Sequence, residues 1–397
     1  NCSLFCKISI IMLEVIKKEV IDLNDDIINL RRYFHMYPEV GKNEYMTAAK
    51  IEEELKSYGL NPIRVGQTGV YAEINGSSCG KVLALRADID ALPIKEETSL
   101  AFKSKNDGVM HACGHDVHTA SLLSAAKILV RHKDELKGKI KLFFQQAEEI
   151  GYGAKVFIEN GYLNNVDCVY GLHIASNLKC GKIACVKGAN NASVDWFKIK
   201  IKGKSSHIST PEGGIDALHA ISKIVVAIKA LANDDKLLIG IGKLDAGLTY
   251  NIIAEDAYLE GTIRAFDQKV REITKKEIQD IAESIAEEFN AKVEVLFKDY
   301  TSPLINSDEP TQLAQDIAES LFGKENVIAS RKPSLSGDDF AELIIQSQGC
   351  YSYVGTYNDD VKETKLPHHN SKLIIDENVL SVSTMMYAAF ALKYLND

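Results

Sequence analysis

The chain has 397 residues, 46% apolar and 25% charged, with a net charge of −9 at neutral pH. Those proportions fit a folded globular protein of roughly two or three domains, and the acidic balance argues against nucleic acid, which needs a basic footprint. Eight cysteines, at 2, 6, 79, 113, 168, 180, 185 and 350, show neither a C-x-x-C pair nor a disulfide-framework spacing. Reduced thiols in the cytoplasm are the expectation.

Residues 1–12 carry an apolar stretch below the ~18 residues that span a membrane, without a clear small-residue cleavage site. The expected natural start is Met12, with 1–11 an upstream extension, and no membrane partner is expected. Residues 13–36 place apolar side chains at helical spacing up to Tyr37-Pro38, where proline ends the pattern. Residues 44–59 repeat that spacing and close on Gly59. Strands are expected at 70–74 and 81–86, around the turn Asn75-Gly76-Ser77-Ser78. The loop HACGHDVH, residues 111–118, precedes a helix over 119–132. A buried-type strand at 139–145 then delivers Glu148-Glu149, and a helix to Asn160-Gly161 leads into a strand at 168–173.

This alternation predicts an α/β domain with a mainly parallel central sheet, helices on both faces and ligands beyond the strands' carboxyl ends. From about 187 the texture changes. A half-exposed strand at 196–202 is followed by a helix at 214–232, strands near Leu238 and at 257–264, a helix at 269–290 and a strand at 292–297. That is a small α+β domain. After Pro303 the first texture returns, with a helix at 310–322, a strand at 351–354 and a closing helix at 377–395. The expected organisation is one domain in two parts, 13–186 and 299–397, with residues 187–298 inserted.

Cys113 and His115 offer a thiolate and an imidazole two residues apart, with Gly114 allowing a tight backbone between them. Zinc, manganese, nickel and cobalt accept such mixed donor sets. A lone histidine is usually a packed one, and adjacent acids usually lie on a solvated face. Here Glu148-Glu149 follows the core run Leu142-Phe143-Phe144, His173 follows Val169-Tyr170-Gly171-Leu172, and Pro367-His368-His369-Asn370 forms a C-terminal loop able to close the site. Taken together they point to a metal-assisted hydrolase in which one glutamate carries protons. A thiol hydrolase with Cys113 as nucleophile and His115 as base is a competing class, but leaves the glutamate pair without a task. A structural zinc module is disfavoured by the lack of short cysteine spacings.

The segments RRYFHMYPEVGKNEY, LRADIDALPI, MHACGHDVHTA, QQAEE, GLHI, SSHIS, NIIAEDAYLEGTIR and PHHN occur in that order. They resemble the metal-dependent amidohydrolase branch of the aminoacylase and glutamate-carboxypeptidase superfamily. That branch includes N-acyl-amino-acid amidohydrolases, hippurate hydrolases and auxin-conjugate hydrolases. The resemblance implies a zinc-exopeptidase-like catalytic domain and an inserted lid that also makes dimer contacts. It further implies two divalent ions (manganese, zinc, nickel or cobalt) on Cys113, His115, Glu149, His173 and His369. Glu148 takes the place of the general base, and His207 that of the histidine polarising the scissile carbonyl, supplied in some arrangements by a partner subunit. Asn251 and Arg264 match the residues that hold a substrate carboxylate. The implied reaction is hydrolysis of N-acyl amino acids of the N-acetyl or N-benzoyl type, by a homodimer or higher homo-oligomer. A dipeptidase or aminopeptidase on the same metal core is the neighbouring alternative. Asp88 and Asp90 stand where the family has acids behind the ligands, although strand or helix capping explains them equally. Asp116 is expected to orient His115, to cap the next helix, or both. Val117, Glu212 and Ser371 depart from the family pattern without removing a ligand or the base, which leaves substrate preference open.

Overall fold

Short apolar runs rich in β-branched and aromatic residues make poor surface helices and good buried strands. In the computed structural model, which describes residues 2–232 and 236–396, such runs form the spine of the larger of two compact units. That unit comprises Asn1–Gly188, Asn306–Lys332 and Glu342–Asp397; the other comprises Ala189–Ile305 and Pro333–Ala341. The segment Pro333–Ala341, which carries little apolar periodicity, thus belongs with the middle of the chain.

The larger unit holds an eight-stranded sheet in the order Ile63–Val65, Gly69–Asn75, Lys137–Gln145, Ser78–Asp88, Cys168–Lys179, Gln348–Tyr357, Ile183–Ala184, Val327–Ile328. The four central strands, from Lys137–Gln145 to Gln348–Tyr357, run parallel, and antiparallel neighbours flank them. The parallel centre agrees with the expected fold class. The helices His115–Arg131 and Val379–Asn396 pack against each other and are apolar around most of their circumference, as buried helices must be. Tyr170 from the sheet stacks on Phe390 with ring centroids 4.0 Å apart, and the Tyr387 hydroxyl donates to the Arg86 carbonyl at 2.7 Å.

The N-terminal helical stretch is two helices, Cys2–Asp22 and Asn24–Met36. The break falls at Leu23, whose φ of −94° and ψ of 1° leave the helical region. Asp25 and Asp26 then occupy the first turn of the new helix, where negative charge meets the positive end of its dipole.

The second unit has a four-stranded antiparallel sheet, Lys292–Thr301, Val194–Lys202, Asp256–Ala265, Leu237–Ala246, and two helices, Ala217–Lys229 and Gln268–Glu288. The alternation of Val194–Lys202 buries Phe197, Ile199 and Ile201 beneath those helices and leaves the lysines outward. Both helices start on an aspartate cap: Asp216 accepts from Leu218 and His219, and Asp267 from Lys269 and Val270. No helix among the described residues is long and apolar enough to cross a membrane.

Candidate metal centre and active site

The sheet register assembles the site. Asp88 pairs with Gln145, and Arg86 with Gly171, so His173 falls level with Asp88 across neighbouring parallel strands. The strand bearing His173 runs on to Lys179, beyond the end expected from sequence, because Gln348–Tyr357 keeps pairing with it. After Gln145 the chain turns through Ala147, at φ 54°, into the short helical turn Glu148–Ile150. Gly114, at φ 87°, lets the loop drop Cys113 and His115 onto the strand ends. A Cβ there would lie 2.1 Å from Ile174 Cδ1, in a backbone conformation that side-chain-bearing residues rarely adopt, so a substitution is strained.

The donor atoms converge. His173 donates from Nδ1 to its neighbour's carbonyl, Ile174 O, at 2.6 Å, which leaves Nε2 as a lone-pair donor 3.4 Å from Cys113 Sγ. His115 is fully buried, with Nδ1 3.3 Å from Asp90 Oδ1, and Nε2 3.7 Å from Asp88 Oδ2 and 3.8 Å from Glu149 Oε1. His369 Nε2 lies 3.4 Å from Glu149 Oε2. Both ring nitrogens of His115, with Asp90 Oδ1 and Glu149 Oε1, are buried without a hydrogen bond of normal geometry. Buried polar atoms left this way are costly unless something else binds them.

Among the described residues, the groups whose ligand atoms lie within 4.8 Å of one another include Cys113, His115 and His173; Cys113, Glu149 and His369; and His115, Glu148 and Glu149. The first two share Cys113. Burial, then the charges of Glu149, Glu148 and Asp88, push the Cys113 thiol well up. Burial alone would lower His115, but Asp88, Asp90 and Glu149 hold it up at about 10. Burial, then the neighbouring His118 and His368, press His173 well below the usual imidazole range. A pocket that raises a thiol and protonates an imidazole is one that calls for positive charge, and divalent cations displace such protons on binding. The residues present therefore fit divalent metal ions.

The sequence profile of peptidase family M20/M25/M40 matches residues 84–393. The chain belongs to this family. It is 39% identical to the N-acetyl-L-cysteine deacetylase of Bacillus subtilis, over 92% of this chain and 87% of that one. It is equally, 39%, identical to thermostable carboxypeptidase 1 of Saccharolobus solfataricus, over 97% of this chain and 99% of that one. Among solved structures it resembles a Bacillus subtilis dinuclear metal binding peptidase from the M20 family. The TM-score is 0.84 at 34% identity, over 94% of this chain and 99% of that one.

Around the donor cluster of this M20/M25/M40 chain lies a set of buried groups to which the sequence motifs give only loose roles. His118 contacts Asp88 Oδ1 at 2.5 Å through Nδ1 and accepts from the Ile174 N–H at 3.0 Å through Nε2. Both its nitrogens are used, so it supports the site from behind. Asp88 also accepts from Arg86 at 2.7 Å, and Asp90 Oδ2 accepts from the Glu149 N–H at 3.1 Å. Asp116 neither caps the helix nor bonds His115. Its Oδ2 takes Arg31 Nε and His35 Nδ1, both at 2.8 Å, and the helix N-cap is Gly114 without a side-chain bond. His368 Nε2 accepts from the Ser176 N–H at 3.3 Å, and His111 is buried and driven down to about 3 by desolvation.

Arg331 belongs to none of the sequence motifs. Its Cζ sits 3.7 Å over the ring of Tyr353, whose centroid is 6.2 Å from that of His173. Glu44, another residue without an assigned role, reaches the glutamate turn from the start of the helix Tyr45–Ser57. Only the folded register brings either residue to the site.

In the second unit, His207 is exposed and paired with Ser209 Oγ at 2.7 Å. The Ile208 N–H donates to Asn251 O at 3.0 Å, so His207 and Asn251 stand on adjoining segments. Arg264 lies half-buried on the strand Asp256–Ala265, where burial lowers its pKa against the opposing charge of Asp195.

Proposed function

We propose that this chain hydrolyses the amide bond of N-acyl amino acids, of the N-acetyl or N-benzoyl type, releasing a carboxylate and the free amino acid. The observation that carries the reading is the convergence of Cys113, His115, Glu149, His173 and His369, with Glu148 among them, at the parallel strands' carboxyl ends. The family membership and the relative named for deacetylating N-acetyl-L-cysteine support it.

Those five residues would hold two divalent ions, manganese, zinc, nickel or cobalt. Bound there, such ions polarise a carbonyl and lower the pKa of water from ~15.7 toward ~7. Glu148 accepts the proton of the attacking water as the new C–O bond forms. It then passes that proton to the amine nitrogen as the C–N bond breaks. His207 donates to the oxygen on which negative charge develops. Arg264 and Asn251 anchor the free carboxylate, which a guanidinium can grip with two hydrogen bonds. The second unit acts as a lid and as the contact between two copies, in a cytoplasmic homodimer or larger homo-oligomer.

A second reading shares this geometry. One relative is named a carboxypeptidase, and that name supports a peptide substrate here, with the carboxylate of its last residue anchored. The thiol-hydrolase alternative is disfavoured, because Cys113 faces His173 and its thiol is pushed up, whereas a nucleophilic cysteine needs a depressed pKa. Turnover of N-acetyl and N-benzoyl amino acids, their carboxamides and matched dipeptides separates these readings. Hydrolysis of the acyl amino acids but not the carboxamides is the expected result; hydrolysis of dipeptides alone would reject it.

A further inference from the structure

Glu44 is completely buried, yet it has no part in the donor cluster. It stands at the start of the helix Tyr45–Ser57 but makes no side-chain cap to that helix. Its carboxyl is spent elsewhere. Oε2 accepts from Thr68 Oγ1 at 2.6 Å, and Oε1 accepts from the backbone N–H of Ala147 at 2.8 Å.

Ala147 is the residue immediately before Glu148. It is fully buried and holds a left-handed backbone, φ 54° and ψ 42°, which an alanine adopts only when its surroundings impose it. Four neighbours do so. Glu44 fixes the Ala147 N–H, and the Tyr152 and Gly153 N–H groups fix its carbonyl at 3.2 and 3.3 Å. Gly41 closes the remaining side, where a Cβ would meet Ala147 Cα at 3.1 Å. The turn decides where Glu148 leaves the strand end.

We infer that Glu44 is a positioning residue, whose buried carboxyl holds Ala147 in its left-handed turn and thereby aims Glu148 at the water and the leaving amine. This deepens the proposed function and rests on Glu148 being the proton carrier. What Glu44 supplies is an acceptor at a set reach; its charge is incidental. Burial raises its pKa to about 7, so the neutral amide of glutamine is a fair replica of it near neutrality.

The test compares Glu44→Gln, Glu44→Asp and the double variant Glu44→Asp with Ala147→Gly, all as metal-loaded protein. Glutamine keeps the acceptor in place. Aspartate keeps the charge but falls one methylene short. Glycine takes the left-handed turn without strain. The expected result is a kcat within about threefold of the parent for Glu44→Gln and a loss of roughly 10- to 100-fold for Glu44→Asp, at unchanged KM and metal content. The double variant recovers most of that loss. Amide exchange in peptides covering 144–153 accelerates in Glu44→Asp and not in Glu44→Gln. Equal losses in Gln and Asp, a loss that tracks metal content, no loss in Asp, or no rescue by glycine would each overturn the inference. The exchange arm needs no turnover. A parent inactive on N-acyl amino acids would therefore reject the proposed reaction, while the exchange rates still decide whether Glu44 holds the turn.

Discussion

Glu148 and Glu149 are adjacent in sequence and unlike in surroundings. Glu149 meets His369 and His115, which lower its pKa against the effect of burial, whereas Glu148 is the member of the pair assigned to proton transfer. Replacing Glu148 with Gln should cut kcat by about 10²–10⁴-fold with both metals retained, read by turnover and metal analysis on one preparation. Arg264→Met should raise KM for N-acyl amino acids by roughly 10- to 100-fold and leave carboxamide analogues unaffected, since a charged hydrogen bond is worth about 1.5–3 kcal/mol. Glu44 adds a stability prediction. Its folded pKa is about 7 against an ordinary 4.5, so between those values the folded state holds the proton the unfolded state has lost. Stability therefore falls as pH rises through that window, by up to about 3 kcal/mol. Glu44→Gln should flatten this fall, seen as a smaller difference between urea midpoints at pH 5 and pH 8. The candidate donor residues stand out in the sequence because they sit in compact motifs. Glu44 lies inside one of the quoted segments and Arg331 outside them all, yet neither stands out, because an acid or arginine gains its meaning from what folds against it, and Ala147 and Tyr353 are 103 and 22 residues away.

At the level of elements, hydrophobic period and turn residues located the strands whose ends carry the site. The parallel sheet followed from their alternation with helices. The extension of Cys168–Lys179 past His173 was not readable, since its continuation depends on a partner strand far along the chain. Nor was the break at Leu23, where an apolar residue keeps the helical period while its backbone leaves it. The helix Asn24–Met36 is tied to the metal-loop helix by the buried pair of Arg31 and Asp116, with Glu377 completing the contact at 3.3 Å. Removing the cation would strand a buried carboxylate beside His35. Arg31→Met should therefore destabilise the protein by about 3–5 kcal/mol, measured by denaturant unfolding, with the metal loop the first segment to lose exchange protection.

For the whole molecule, the texture of the sequence changes near residue 187, and the second unit, with its antiparallel sheet and two aspartate-capped helices, comprises Ala189–Ile305 and Pro333–Ala341. Its edge strand Leu237–Ala246 is open to solvent, and the loop after it carries Leu248 and Tyr250 at 95% and 93% exposure. Such an edge suits a second copy. Sedimentation should give twice the 43.8 kDa chain mass, and the double change Leu248→Glu, Tyr250→Glu should shift it toward the monomer. Whether five donors hold divalent metals for amide hydrolysis is decided by chelating the protein and refilling it with manganese, zinc, cobalt or nickel. Amino-acid release from N-acetyl and N-benzoyl amino acids is measured at each stage. Release should stop on chelation and return with about two metals per chain; release indifferent to chelation would contradict a metal-dependent reaction.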